Sequence, residues 1–114
     1  MHKTLLPDGW PRPKGYANGV VAQGDSIIFC GGQIGWTSDE QFEHHDFVGQ
    51  VRQALENVVA VLASADAGPE HIARMTWYVT NREQYLADLA AVGRAYRDVI
   101  GKHFPAMSVV EVSA

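Results

Sequence analysis

The chain has 114 residues, of which 46% are apolar and 19% charged, and a formal net charge of −4 at neutral pH. That length fits one domain over residues 1–114, with enough aromatic and aliphatic side chains for a core. The nine Lys and Arg are scattered, which argues against nucleic acid as a partner; the single Cys30 excludes an intrachain disulfide framework; and no apolar run reaches the roughly 18–20 residues of a membrane span.

From the N-terminus, Met1-His2-Lys3-Thr4-Leu5-Leu6 shows no apolar core of a secretory leader, so a cytoplasmic protein is expected. Residues 7–19 carry Pro7, Gly9, Pro11, Pro13, Gly15 and Gly19 and read as an irregular arm, with Trp10 and Tyr16 pinning it to the body. Residues 20–22 begin a strand, Gly24-Asp25 reads as a hairpin turn, and the strongly apolar residues 26–30 read as the returning strand. Residues 36–45 are a polar loop. Then the period changes: Phe47, Val51, Leu55, Val58, Leu62 and Ala65 recur every three or four residues, which predicts an amphipathic helix. Asp46 is its N-cap and Gly68-Pro69 its end.

Residues 71–80 read as a strand with Met75, Trp77 and Val79 on one face and Arg74, Thr76, Tyr78 and Thr80 on the other. Asn81 caps a second helix that carries Tyr85, Leu89, Val92, Tyr96 and Ile100 on one side, with Gly101 and Pro105 bracketing its exit. Residues 107–112 form a last strand, apolar and polar in alternation. Strand, strand, helix, strand, helix, strand predicts an α+β fold with helices on one face of a small mixed sheet.

Few residues carry chemistry by spacing alone. Cys30 ends an apolar strand with no His placed beside it, so a small core residue is expected over a nucleophile. His44-His45 point apart and lack a second ligand pair, so a solvated loop is expected over a metal site. His71 and His103 fall at element boundaries, as surface or capping residues. Glu111 is read as a hydrogen-bonded or exposed strand residue, with a buried general base as the alternative. Gly31-Gly32 lacks the lysine and spacing of a phosphate loop and is read as allowing close backbone approach. Ser108 has no base to make it a nucleophile but could bind a ligand.

Three pieces taken together carry a resemblance: Gly15-Tyr16-Ala17-Asn18-Gly19-Val20, then Phe29-Cys30-Gly31-Gly32-Gln33-Ile34, then Phe104-Pro105-Ala106-Met107-Ser108-Val109-Val110-Glu111-Val112. In this order and spacing the chain resembles the Rid family, also called YjgF or endoribonuclease L-PSP. The resemblance implies a chorismate-mutase-like protomer, a homotrimer with clefts between subunits, and hydrolysis of enamines and imines without metal or cofactor. It places Tyr16, Gly31, Gly32, Met107 and Ser108 in the cleft.

Three departures bear on activity. Hydrolytic members carry an arginine where this chain has Met107, and a thioether cannot grip a carboxylate as a guanidinium does. Many carry a serine where this chain has Gly31. The family pattern also continues into one more strand with a glutamate; this chain stops at Ala114, so a shortened chain is expected. The resemblance therefore implies either a hydrolase with altered substrate choice or a non-catalytic trimer that binds a small apolar or aromatic metabolite, with Lys14, Arg12 or Arg74 conceivable as a substitute cation. The ribonuclease role sometimes attached to the family lacks a basic footprint here.

Overall fold

The structure is a computed structural model and describes residues 2–113. In chain order it contains β1 (Lys3–Leu5), β2 (Gly19–Val21), α1 (Phe47–Ala63), a 3-10 turn (Pro69–His71), β3 (Arg74–Val79), α2 (Arg82–Ala87), α3 (Leu89–Val99) and β4 (Ala106–Glu111). The α+β class is as expected. In place of the single small mixed sheet expected, the strands form two two-stranded sheets, β1 with β2 and β3 with β4.

β3 and β4 run parallel, with Met75 opposite Met107 and Trp77 opposite Val109. Parallel neighbours need a crossover, and α2 with α3 supplies it. Paired residues share a face, so Met75, Trp77 and Met107 pack together against the helices. α1 presents Leu55 and Leu62 to the same core, flanked by Val51 and Val58, as its three-to-four-residue period requires. Ile72, Tyr96 and Ile100 complete it.

The helix ends follow local chemistry. Asp46 caps α1 by accepting from the Gly49 amide at 2.9 Å. That bond holds its carboxyl below the ordinary value of 3.8, with the nearby His44 and His45 adding to the effect. Instead of continuing to Gly68-Pro69, α1 stops at Ala63. Asp66 takes the left-handed conformation (φ 58°) that closes the helix, and the Ala67 amide returns to the Leu62 carbonyl at 2.9 Å. Asp is among the few non-glycine residues that adopt that region readily. Gly68-Pro69 opens the following 3-10 turn, where His71 Nδ1 accepts from the Gly68 amide at 3.0 Å. The expected second helix is two helices meeting at Asp88; its last turn closes at Gly101 (φ 87°).

The N-terminal strand pair also corrects the sequence reading. β2 pairs with β1, antiparallel, and no hairpin turn at Gly24-Asp25 joins it to residues 26–30. Those residues form no strand. Ile27 is 81% exposed and Phe29 90%, and Cys30 is exposed rather than a core residue. A strand exists only where a neighbour supplies its hydrogen bonds, and no described residue does so here. The arm is held by Ala17, which is buried, bridges Ala106 and donates to the Pro105 carbonyl at 3.0 Å. Trp10 and Tyr16, the expected pins, are both exposed.

The loop before α1 is tied down. Asn57 donates to the carbonyls of Ile34 at 2.9 Å and Trp36 at 2.8 Å. Gly35 sits so close to α1 that a Cβ there would lie 2.7 Å from Gln50 Cβ. No helix among the described residues is long and apolar enough to cross a membrane.

Candidate functional site

An open cleft of about 290 Å³ lies between the arm, the apolar face of β3 and β4, and helices α2 and α3. That is near the lower end for small-molecule sites. Its walls follow from strand alternation. Trp77, Met107 and Val109 project from the helix-facing side of the sheet, and the helices contribute Tyr85, Val92 and Tyr96. Lys14 and Tyr16 come from the arm.

The aromatic rings form a chain. Trp77 lies edge-on to Tyr85 with centroids 6.2 Å apart and is tilted against Tyr96 at 6.3 Å. Tyr96 stacks on Phe104 at 5.9 Å with 16° between planes. The Tyr96 hydroxyl donates to the His103 carbonyl at 2.5 Å, and His103 Nε2 donates to the Ile72 carbonyl at 2.8 Å, so α3, the turn before β4 and the start of β3 are locked together. Burial pushes the Tyr96 phenol up to about 12 and raises that of Tyr85. Both rings therefore stay neutral at physiological pH.

One polar atom breaks this pattern. Trp77 Nε1 is buried and has no hydrogen-bond partner. An orphaned buried N–H costs roughly 1–3 kcal/mol. The cations on the lining are Lys14 and Arg97, and no carboxylate lines the cleft. Neither cation is in an ion pair among the described residues, where Arg52 pairs with Asp98 at 2.7 Å.

Of the residues expected in the site, Tyr16 and Met107 meet in this cleft. Gly31 and Gly32 lie outside it on the exposed segment, with open space where a Cβ would stand. The Gly31 carbonyl accepts one long bond, from Gln33 Nε2 at 3.4 Å. Ser108 faces the other side of the sheet, where Arg74 Nη2 approaches its Oγ at 3.5 Å. Glu111 is exposed and accepts from the Arg82 amide at 2.7 Å, capping α2. His44 and His45 are not brought to a third ligand: no group of three or more His, Cys, Asp or Glu among the described residues is placed to hold a metal.

The sequence reading does not place Trp77, Tyr85, Tyr96, Phe104 or Arg97 in a cleft: it puts Trp77 on one face of a strand and Tyr85 and Tyr96 on one side of a helix, and gives Arg97 no role. Gly93 lies one turn before Arg97, but a Cβ there would make only ordinary contact with Arg97 Nη1 at 3.4 Å, so the glycine does not mark Arg97 in the sequence.

The endoribonuclease L-PSP family model matches residues 11–114. The chain belongs to that family, the Rid or YjgF family. It is 32% identical to the 2-iminobutanoate/2-iminopropanoate deaminase of Salmonella typhimurium, over 99% of this chain and 87% of that protein. It is also 32% identical to the RutC family protein UK114 of Drosophila melanogaster, over 86% of this chain and 67% of that protein. Among solved structures it superposes on the Rid-family protein YyfB of Yersinia pestis with a TM-score of 0.85 and 25% identity, covering 99% of this chain and 86% of that one. The fold expected from the resemblance, chorismate-mutase-like, is thereby established.

Proposed function

We propose that this Rid protein hydrolyses a reactive imine or enamine whose chemistry differs from that of short-chain 2-imino acids. The similarity to the Salmonella typhimurium deaminase along nearly the whole chain supports the reaction class. The observation that carries the altered substrate choice is Met107. It lines an aromatic cleft beside Tyr16, at the position where the family resemblance expects a carboxylate-binding arginine. Without a guanidinium there, a 2-imino acid loses a charge-assisted bidentate bond and binds about a hundredfold or more weakly.

The chemistry asks little of the protein. Water adds to the C=N carbon, a proton passes to nitrogen, and the carbinolamine collapses to a carbonyl compound and ammonia. An enamine first takes a proton at carbon to become the imine. Positioning and polarisation suffice, and no cofactor or metal is required.

The working unit in this reading is a homotrimer. Ile27 and Phe29 stand in solvent in one protomer, as do Tyr78 and Val110 on the sheet face away from the helices. Exposed side chains of this size are what a neighbouring copy would bury. A neighbouring copy would cover them and bring its Gly31-Gly32 backbone, and the weakly used Gly31 carbonyl, to the cleft mouth. A cytoplasmic setting fits this chemistry. The specific alternative is a trimer that binds a small metabolite without turnover, which Met107 and the apolar walls also suit.

The test is ammonia release from 2-iminobutanoate generated in situ by a threonine dehydratase, comparing native protein, Met107→Arg and no protein. The expected result is a low native rate that Met107→Arg raises at least about tenfold. Stimulation by neither protein would overturn the hydrolase reading and leave the binding one.

A further inference from the structure

Histidine rings sit where β1 meets the body, and their hydrogen bonds fix their protonation. His2 Nδ1 accepts from the Gln23 amide at 3.0 Å. Its Nε2 lies 2.7 Å from the His71 carbonyl, which can only accept, so the proton is on Nε2 and the ring is neutral. The His71 ring is held in the same way, its Nδ1 accepting from the Gly68 amide at 3.0 Å. A protonated ring has donors at both nitrogens and can accept from neither amide. His103, bound through Nε2 to the next carbonyl, that of Ile72, makes no bond through Nδ1 among the described residues and keeps its contact in either state. β1 leans on this arrangement. Its three residues are all exposed and pair with those of β2, and a two-stranded ribbon is marginal by itself. The bond from His2 to His71 ties that ribbon to the start of the body.

We propose that His2 and His71 form an acid-released latch: neutral, they fasten β1 to the end of β2 and to the 3-10 turn; protonated, His2 lets go of the Gln23 amide and His71 exchanges the Gly68 amide for the Glu70 carboxylate. The second partner is already in place, since Glu70 Oε1 stands 3.5 Å from His71 Nδ1. The other charged groups on the elements that meet here are Lys3 beside His2, Asp25 two residues past Gln23, and Arg74 at the start of β3. Lys3 and Arg74 oppose a charge on the rings and Asp25 and Glu70 favour it, so the hydrogen bonds set the direction for His2. The change sets in as pH falls through the range where histidine takes its proton, about 8 to 5. Release lifts the Leu5 side chain from Gly19, against which it packs. β2 follows directly on Tyr16 and Ala17, so the latch steadies the arm that walls the cleft.

The experiment is NMR of the whole chain at about pH 8 and about pH 5. Long-range proton–nitrogen spectra of the imidazoles read the tautomers, and amide exchange, corrected for the intrinsic effect of pH, reads the backbone bonds. At the higher pH, His2 should carry its proton on Nε2. On acidification, protection of the Gln23 amide and of the β1–β2 ladder should fall roughly three- to tenfold, the worth of a single hydrogen bond. The amides of Leu55 and Tyr96 in the core should keep theirs. His2→Gln retains a donor and an acceptor but takes no proton in this range, and should hold Gln23 protection constant across it. Glu70→Gln removes the alternative partner of His71 and should keep the Gly68 amide protected further into acid. A His2 proton on Nδ1 at the higher pH, Gln23 protection unchanged by acid, or an equal loss in His2→Gln would overturn the inference. None of these outcomes involves ammonia release, so the latch and the hydrolase reading stand or fall separately.

Discussion

Leu55 and Phe29 are both large and apolar. Leu55 is 5% exposed on the inner face of α1, whereas Phe29 is 90% exposed in the segment before the paired glycines. The contrast extends to their surroundings. Around Leu55, α1, α3, β3 and β4 bury one another, and their backbone groups are paired along helices and a parallel ladder. Around Phe29, Ile27 and Ile28 are exposed as well, and residues 26–30 have no ladder. Fully burying one such side chain yields roughly 1.5–3 kcal/mol. The body has taken that gain within the protomer. The N-terminal segment has it still to take, and in the proposed trimer another copy of the chain would supply the surface on which it can.

Paired substitutions sharpen this contrast most. Leu55→Ala should destabilise the fold by about 2–5 kcal/mol, the usual cost of a cavity in a packed core, read by urea unfolding. Phe29→Asp should change protomer stability by no more than about 0.5 kcal/mol, as at other exposed positions. In light scattering, however, it should shift the protein from trimer to monomer. A native protein that already runs as a monomer, or a Phe29→Asp protein that remains trimeric, would show that this segment has no partner of its own kind.

Gly35 tests the seam between the two regions. Its Cα lies against α1, and the nearest atoms to an added Cβ include Gln50 Cα at 2.9 Å, backbone that cannot swing aside. Gly35→Ala should therefore cost about 1–3 kcal/mol, the range for overpacking. If the loop is seated as firmly as the two Asn57 bonds imply, the loss appears in global unfolding. If it appears only as faster amide exchange in residues 33–37, the loop belongs with the loose N-terminal segment.

What the sequence disclosed divides along the same line. Val51, Leu55, Val58 and Leu62 announce α1 because a helix selects its buried face by local period alone. The alternation of Met75 and Trp77 announces the inner face of β3 for the same reason. Partner choice in a sheet is not local. Nothing in residues 19–21 says that they pair with Lys3–Leu5 rather than with the more apolar residues 26–30, and the latter look like a core strand whether the core is in this chain or in the next. The candidate site is split likewise. Tyr16 and Met107 could be picked out from the family resemblance. The aromatic chain from Tyr85 through Trp77 to Phe104 arises only when α2 and α3 pack on the sheet, and the break between those helices at Asp88 carries no clear sequence mark.

The smallest effect concerns a polar tie inside the body. Tyr96→Phe keeps the ring that stacks on Phe104 and removes only the hydroxyl that donates to the His103 carbonyl. The loss should be about 1 kcal/mol, the net value of a single hydrogen bond. It should also alter the alkaline limit of stability. Burial lifts the Tyr96 phenol from its ordinary 10.0 to about 12. A group whose folded value lies above its unfolded one contributes fully below the unfolded value and loses that contribution as pH rises through the folded value. Native stability should therefore be flat in this respect up to about pH 10 and fall between there and about 12. The Tyr96→Phe protein starts lower but should lose less over that interval, so the two curves converge. Parallel curves would mean that the ring is reached by water while the fold is intact, and that the body on this side of the cleft is as open as the N-terminal segment it was contrasted with.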